Sequence, residues 1–176
     1  MISALRYHLG CGDIRLPGWI NVDARPGPAV DLVCDLSDVS SLQGGAEAVY
    51  ACHVLEHFGF NGVSPAATNV LLGWCNLLAP NGECFISVPD LQKVGRAISE
   101  TGDIGEQFNF MKCIYGGCEY PQNRHFIGFT EPLLRNMMAR AGLCHIQPFE
   151  SFAEDTSRFV LHGCNVSLNL VGYRCP

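Results

Sequence analysis

Only residues 13–18 separate a first β-type run at 5–9, with its exit Gly10-Cys11-Gly12, from a second run at 19–23. Residues 24–29 alone separate that second run from a third at 30–36. A parallel crossover normally takes about a dozen residues and usually includes a helix. Both links contain proline, and neither has room for a helix. Six residues with their flanking bonds nevertheless reach roughly 23 Å when extended, and a five-residue strand is only ~17 Å long. Extended crossovers are therefore feasible, and no helix is expected over the first three strands.

Further β-type runs lie at 48–54, 83–88, 144–149 and 166–173, and helical patterns separate them. Residues 66–78 place Val70, Leu71, Trp74, Leu77 and Leu78 on one stripe, and Pro80-Asn81-Gly82 is read as the stop. Thr130 reads as an N-cap with Glu131 and Pro132 in the first turn; Leu133, Leu134, Met137, Met138 and Ala141 follow at helical spacing, closed by Gly142. Residues 91–118 read as two helical pieces broken around 102–105. The stretches 116–117 and 120–124 read as an irregular loop. Strands alternating with helices imply an α/β fold: a Rossmann-like, mostly parallel sheet of about seven strands, trimmed of the helices after its first and second strands. One domain over residues 1–176 is expected.

Polarity supports the trimming. A strand covered on both faces is continuously apolar, but Leu5-Arg6-Tyr7-His8-Leu9 alternates, as do Ile20-Asn21-Val22 and Val30-Asp31-Leu32. Arg6 and His8 are expected on one face, with Leu5, Tyr7 and Leu9 on the other. The Arg6 face is expected to meet water, a polar loop or a polar partner surface.

Composition removes several function classes. The formal charge is −6 and the two lysines, Lys93 and Lys112, stand apart, so neither a nucleic-acid surface nor a polybasic membrane anchor is expected. No apolar run approaches the ~20 residues of a membrane span, although the mean hydropathy is +0.14. No secretion signal is read at the start, and a cytoplasmic location is expected. Ten cysteines are present, but Cys34, Cys52, Cys75 and Cys84 lie in apolar segments and read as small core residues. No CxxC pair occurs, and Cys113 with Cys118 lacks zinc-knuckle spacing, so no metal is expected.

The chemistry concentrates at strand ends. Glycines after the first strand let a ligand approach the backbone without a Cβ in the way. Asp23, ending the second strand, can accept from both hydroxyls of a ribose. Asp35-Leu36, closing the third, can offer an adenine amino group a carboxylate beside an apolar contact. The fourth run ends in His53-Val54-Leu55-Glu56-His57. In this order LGCG, the acid of NVD, CDL, HVLEH, LLAPNGE with FISVPD, and HFIGFTEPLLRNMMARAGL resemble the class I S-adenosylmethionine-dependent methyltransferases, as a small, trimmed member of the type 11-like group. The resemblance spans nearly the whole chain.

What the resemblance implies is methyl transfer from S-adenosylmethionine to a small-molecule acceptor. Gly10, Cys11 and Gly12 would line the methionine part, Asp23 hold the ribose, Asp35 and Leu36 the adenine, and His53 and Val54 the floor beside the sulfonium. Methyl transfer is an in-line displacement, so positioning supplies much of the catalysis. A base helps only where the acceptor loses a proton, and His57 and His125 are the candidates. Asp90 and Tyr120 are weaker ones, while His8, His145 and His162 read as structural. The alternative for His57 is a residue that braces the turn with Glu56, and the alternative for His125 is a structural role. Residues 91–129 would shape the acceptor pocket; Tyr115, Tyr120, Asn123 and Arg124 suit a sugar, a small phenol or an acid.

Two other readings compete. A trimmed fold of this type also suits a non-catalytic module that binds the cofactor or a partner, and a homo-oligomer is left open. A dinucleotide oxidoreductase is disfavoured, because Gly10-Cys11-Gly12-Asp13-Ile14-Arg15 lacks the third glycine of GxGxxG and no helix start follows.

Overall fold

The computed structural model describes residues 4–60, 66–151 and 155–176. In chain order the strands are β1 (Arg6–Leu9), β2 (Ile20–Asp23), β3 (Leu32–Val33), β4 (Ala46–Cys52), β5 (Leu78–Pro89), β6 (Leu143–Pro148), β7 (Val160–Leu161), β8 (Cys164–Asn165) and β9 (Ser167–Arg174). The helices are α1 (Ala67–Asn76), α2 (Leu91–Glu100), α3 (Ile104–Tyr115) and α4 (Glu131–Arg140). Among the described residues seven strands form one sheet, ordered β3-β2-β1-β4-β5-β9-β6, and β7 pairs with β8 apart from it. The pairs from β3 through β5 are parallel, and β9 runs antiparallel to both β5 and β6.

No helix stands between β1 and β2 or between β2 and β3. Both links cross as non-helical chain, as their length requires.

Register explains which face each residue serves. Tyr7 pairs with Val49 and Leu9 with Ala51, and Val49 and Ala51 pair in turn with Cys84 and Ile86. These side chains share the main core with Val70, Leu71 and Trp74 of α1 and Leu134, Met137 and Met138 of α4. The opposite face aligns His8 with Tyr50 and Tyr50 with Phe85. That face is covered by loops, with Leu16, Tyr50 and Cys52 packing against Ile14, Trp19, Phe85 and Phe149. A third small core, Val94, Phe110 and Val166, ties α2 and α3 to the β7–β8 hairpin.

Several expectations change here. The third strand pairs only at Leu32–Val33, both exposed at the sheet edge, and Asp35 lies beyond it in a turn where its Oδ1 accepts from Ser37 N at 2.9 Å. Helix α1 ends at Asn76, and Leu78 pairs with Ala46 in the sheet instead of completing the helix. Thr130 occupies the N-cap position in extended conformation but makes no side-chain capping bond. Arg6 is exposed and ion-paired to Glu47 at 3.2 Å, as an alternating strand requires. His8, on the same side, is instead only 2% exposed.

The burial of His8 has a local cause. Its Nδ1 donates to Asn21 Oδ1 at 3.1 Å and its ring stacks on Tyr50, centroids 5.3 Å apart. Asn21 also anchors the first link: its Oδ1 accepts from Leu16 N at 2.9 Å, and its Nδ2 donates to the carbonyls of Leu16 and Trp19. The link is thus tied back to β2, and Leu16 and Trp19 pack with Tyr50, the ring stacked on His8. The ten cysteines carry free thiols, and Cys34, Cys52, Cys75 and Cys84 are all buried. No helix among the described residues is long and apolar enough to cross a membrane.

Candidate functional site

The sheet order reverses direction between β1 and β4, and open α/β sheets place ligands in the crevice beyond the strand carboxyl ends at such a point. A cavity of about 290 Å³ opens there. Gly10 and Gly12 from the exit of β1 line it, with Asp23 from the end of β2, Asp35 and Leu36 past β3, and His53 and Val54 past β4.

The β1 exit is shaped by glycine. Gly10 has φ +71 and Gly12 φ +54, in the left-handed region where other residues are strained. The N–H groups of Gly10 and Cys11 both donate to Val22 O, and Gly12 N donates to Asp23 Oδ2 at 2.9 Å. These backbone donors hold the turn to β2, so the glycines serve the cavity through space. A Cβ on Gly12 would meet nothing within 4 Å. Cys11 is buried, 3% exposed, and does not line the cavity.

Asp23 stays oriented toward the cavity because two backbone amides grip it, Gly12 N on Oδ2 and Arg25 N on Oδ1, each at 2.9 Å. Each carboxylate oxygen accepts more than one hydrogen bond, so capacity for a hydroxyl donor remains. The Arg25 guanidinium lies 4.3 Å over the ring of Tyr120, and both side chains line the cavity. This pair joins the β2 exit to the loop after α3. Leu36 is buried, and its carbonyl accepts from Trp74 Nε1 at 2.8 Å, which ties the far wall to α1.

A second cavity, of about 420 Å³, adjoins the first through His53, which lines both. Asn109, Lys112, Cys113, Asn123 and His125 contribute polar groups, and Phe159, Leu161 and Val166 apolar ones. His53 has φ +54, an uncommon conformation for a residue with a Cβ, and its Nε2 pairs with Ser167 Oγ at 3.0 Å. Such strain persists only where surroundings impose it, and it clusters at functional sites.

Beneath the junction sits Glu56, 1% exposed. Neither carboxylate oxygen accepts a hydrogen bond among the described residues. His53 Nδ1 lies 3.4 Å from its Oε1 and His125 Nε2 lies 3.9 Å away, ionic contacts rather than well-formed bonds. Burial pushes the Glu56 carboxyl up, but His53, then His57 and His125, together outweigh it and leave the group below its ordinary value. Burial lowers His125, with Glu56 opposing, so this imidazole tends to the neutral form. His57 and His125 meet edge to face, ring centroids 4.8 Å apart.

No family model matches the sequence, and no curated protein matches it either. Solved structures do match over the whole chain. A SAM-dependent methyltransferase of Thermotoga maritima, a possible histamine N-methyltransferase, superposes with TM-score 0.61 at 12% identity, covering 99% of this chain and 84% of that one. The 1,6-didemethyltoxoflavin-N1-methyltransferase of Burkholderia thailandensis, crystallised with 1,6-didemethyltoxoflavin and S-adenosylhomocysteine, gives 0.60 at 17%, over 99% and 72%. The CurJ carbon methyltransferase gives 0.58 at 12%; it covers 100% of this chain, which spans 50% of that one. The fold is that of the class I methyltransferases.

On this methyltransferase fold the residues singled out by sequence gather unevenly. Gly10, Gly12, Asp23, Asp35, Leu36, His53, Val54 and His57 share the first cavity, Cys11 does not line it, and His125 lines the second. Asp90 is taken up otherwise, capping α2 through Gln92 N and Lys93 N and pairing with Lys93 Nζ at 3.4 Å. His162 is held by Glu106 and Asn109, and exposed His145 occupies the irregularity in β6 with φ +50. Sequence reasoning missed Arg25, whose place two residues after Asp23 was the available signal. It also left Glu56 as a turn brace, since only the fold brings His125 beside it.

Proposed function

We propose that the first cavity binds S-adenosylmethionine and the second holds a small-molecule acceptor for its methyl group. The observation that carries this reading is the shared wall: among the described residues His53 alone borders both cavities at the switch point. The residues present fit the cofactor, since Gly12 leaves open space, Asp23 is fixed by two amides with capacity to spare, and Asp35 and Leu36 pair a carboxylate with an apolar surface.

When bound, the cofactor supplies an electrophilic methyl on a sulfonium. The chain's residues do the rest. Asp23 accepts from the ribose hydroxyls, Asp35 and Leu36 hold the adenine, and Gly10 and Gly12 make room for the methionine part. His53 and Val54 form the floor at which acceptor and donor meet, and the Arg25–Tyr120 pair limits access by water. His57 and His125 position the acceptor atom or take its proton where it has one to lose.

Isothermal titration with S-adenosylmethionine and S-adenosylhomocysteine, followed by a radiolabelled-methyl screen of phenols, sugars and small acids, tests this. Heats for both ligands and label transfer to one acceptor class are expected. No heat with either ligand overturns the cofactor assignment; binding with no transfer to any acceptor returns the chain to a non-catalytic module.

A further inference from the structure

We propose that Glu56, His57 and His125 bind a divalent first-row transition ion in the wall between the two cavities. One ligand atom from each lies within 4.8 Å of the others. Three separate observations support the assignment.

The first is the carboxylate. Glu56 is enclosed, 1% exposed, and both oxygens lack a hydrogen bond among the described residues. Its ionic contacts, His53 Nδ1 at 3.4 Å and His125 Nε2 at 3.9 Å, are too long for well-formed bonds, and a buried carboxylate so weakly met is costly unless a cation sits against it. The second is tautomer control. His57 Nδ1 lies 2.9 Å from Arg124 O, and His125 Nδ1 lies 3.1 Å from Cys113 O. A carbonyl only accepts, so in both rings Nδ1 carries a proton, which leaves Nε2 of each ring in its neutral form as the free ligand atom; in His125 that atom lies 3.9 Å from Glu56 Oε1. An imidazole that donates one nitrogen to a carbonyl while presenting the other is the usual outer-shell arrangement of metal-bound histidine. The third is the donor set. Two imidazoles and one carboxylate suit manganese, iron, cobalt or zinc, whereas calcium and magnesium prefer oxygen throughout.

Donors on one ion at ~2.1 Å stand ~3.4 Å apart at a tetrahedral angle and ~4.2 Å apart only when opposite, so a bound ion draws atoms spread over as much as 4.8 Å together by roughly 0.6 to 1.4 Å. Three protein ligands leave coordination positions open. His57 borders the first cavity and His125 the second, so an acceptor oxygen there would gain acidity from the ion. That consequence rests on the proposed methyl transfer, while the ion binding does not.

The test uses the full chain, stripped with chelator and titrated with Co²⁺ in visible absorption. One equivalent is expected to raise ligand-field bands without the near-ultraviolet thiolate band that the free cysteines would give, and Zn²⁺ is expected to displace it. Glu56→Gln and His125→Ala are each expected to weaken Co²⁺ binding at least ~10-fold. His57→Ala, at a half-buried ring, decides the matter if the Glu56 variant fails to fold. Absent bands, bands of thiolate character, or bands unchanged in His57→Ala overturn the proposal. Titration of the same stripped protein with S-adenosylmethionine separates the two readings: cofactor heat without cobalt bands sinks only the ion, and cobalt bands without cofactor heat sink only the methyl donor.

Discussion

Gly10 and Val54 touch at the switch point so closely that a Cβ at position 10 would stand 2.3 Å from Val54 Cγ2. Gly10 also has φ +71, so Gly10→Ala incurs both a clash and backbone strain. Each costs on the order of 1–3 kcal/mol, and urea denaturation should register a loss of about 2–6 kcal/mol. Adding Val54→Ala should recover the steric part and leave the backbone part. Full recovery in the double variant would show that φ at position 10 carries no cost.

The legible parts of this fold were those decided by local pattern. The runs ending at Leu9, Asp23 and Cys52 carry period-two or continuous apolar signals, and their glycine, acid and histidine exits sit where the runs stop. Residues 30–36 misled because a two-residue edge strand needs little apolar pattern, and an aspartate turn closes it. His8 misled for a different reason. Alternation put it on the polar side with Arg6, but Asn21 of β2 bonds it and Tyr50 of β4 stacks on it, with Leu16 and Trp19 packed against Tyr50, and such cover is not written in β1 itself. The ring of groups around Glu56 was hidden for the same cause, because His125 arrives from a distant loop.

The Arg25–Tyr120 pair should act on cofactor residence. Its guanidinium-to-ring distance of 4.3 Å is that of a cation–π contact, which at a partly exposed site contributes ~0.5–1 kcal/mol. Tyr120→Ala should therefore speed dissociation of S-adenosylhomocysteine about two- to fivefold in stopped-flow fluorescence. Tyr120→Phe should keep the wild-type rate, since the ring and not the hydroxyl makes the contact. Equal rates in wild type and Tyr120→Ala would remove the pair from the cavity's closure.

His8 should make the fold acid-sensitive. Burial lowers its pKa against opposing contributions from Asn21, Asp155 and Asp23, and Tyr50 stacks on its other face. Above the unfolded value near ~6.5 both states are neutral and stability is fully present. As pH falls below that, the unfolded chain takes up a proton that the folded chain refuses, so stability is lost until the depressed folded value is passed. Denaturation midpoints of wild type and His8→Gln, compared between about pH 7 and about pH 5, should converge as pH falls. Parallel midpoints across that window would mean that His8 is not held neutral.

Asn21 should be the residue on which the trimmed half of the sheet most depends. It is fully buried, and its amide joins β1 through His8, the first link through Leu16 and Trp19, and the second through Asp31. Asp31 is held in turn by Arg15, and the amides of Asn21 followed by that guanidinium pull its carboxyl down to about 2. Asn21→Ala strands several buried groups at once, each worth ~1–3 kcal/mol when left unpaired, so a loss of about 3 kcal/mol or more is expected in urea. Asn21→Asp is the sharper variant. It keeps the acceptor used by Leu16 N and His8 but turns the amide donor into a second acceptor facing two carbonyls and the Asp31 carboxylate. It should be at least as destabilising at neutral pH as Asn21→Ala, although it changes one atom. Asn21 does not line the first cavity, yet the link it anchors begins at Gly12. Both variants should therefore also weaken S-adenosylmethionine binding in calorimetry. A stable Asn21→Asp with unchanged affinity would show that the two helix-free crossovers hold their course without this residue.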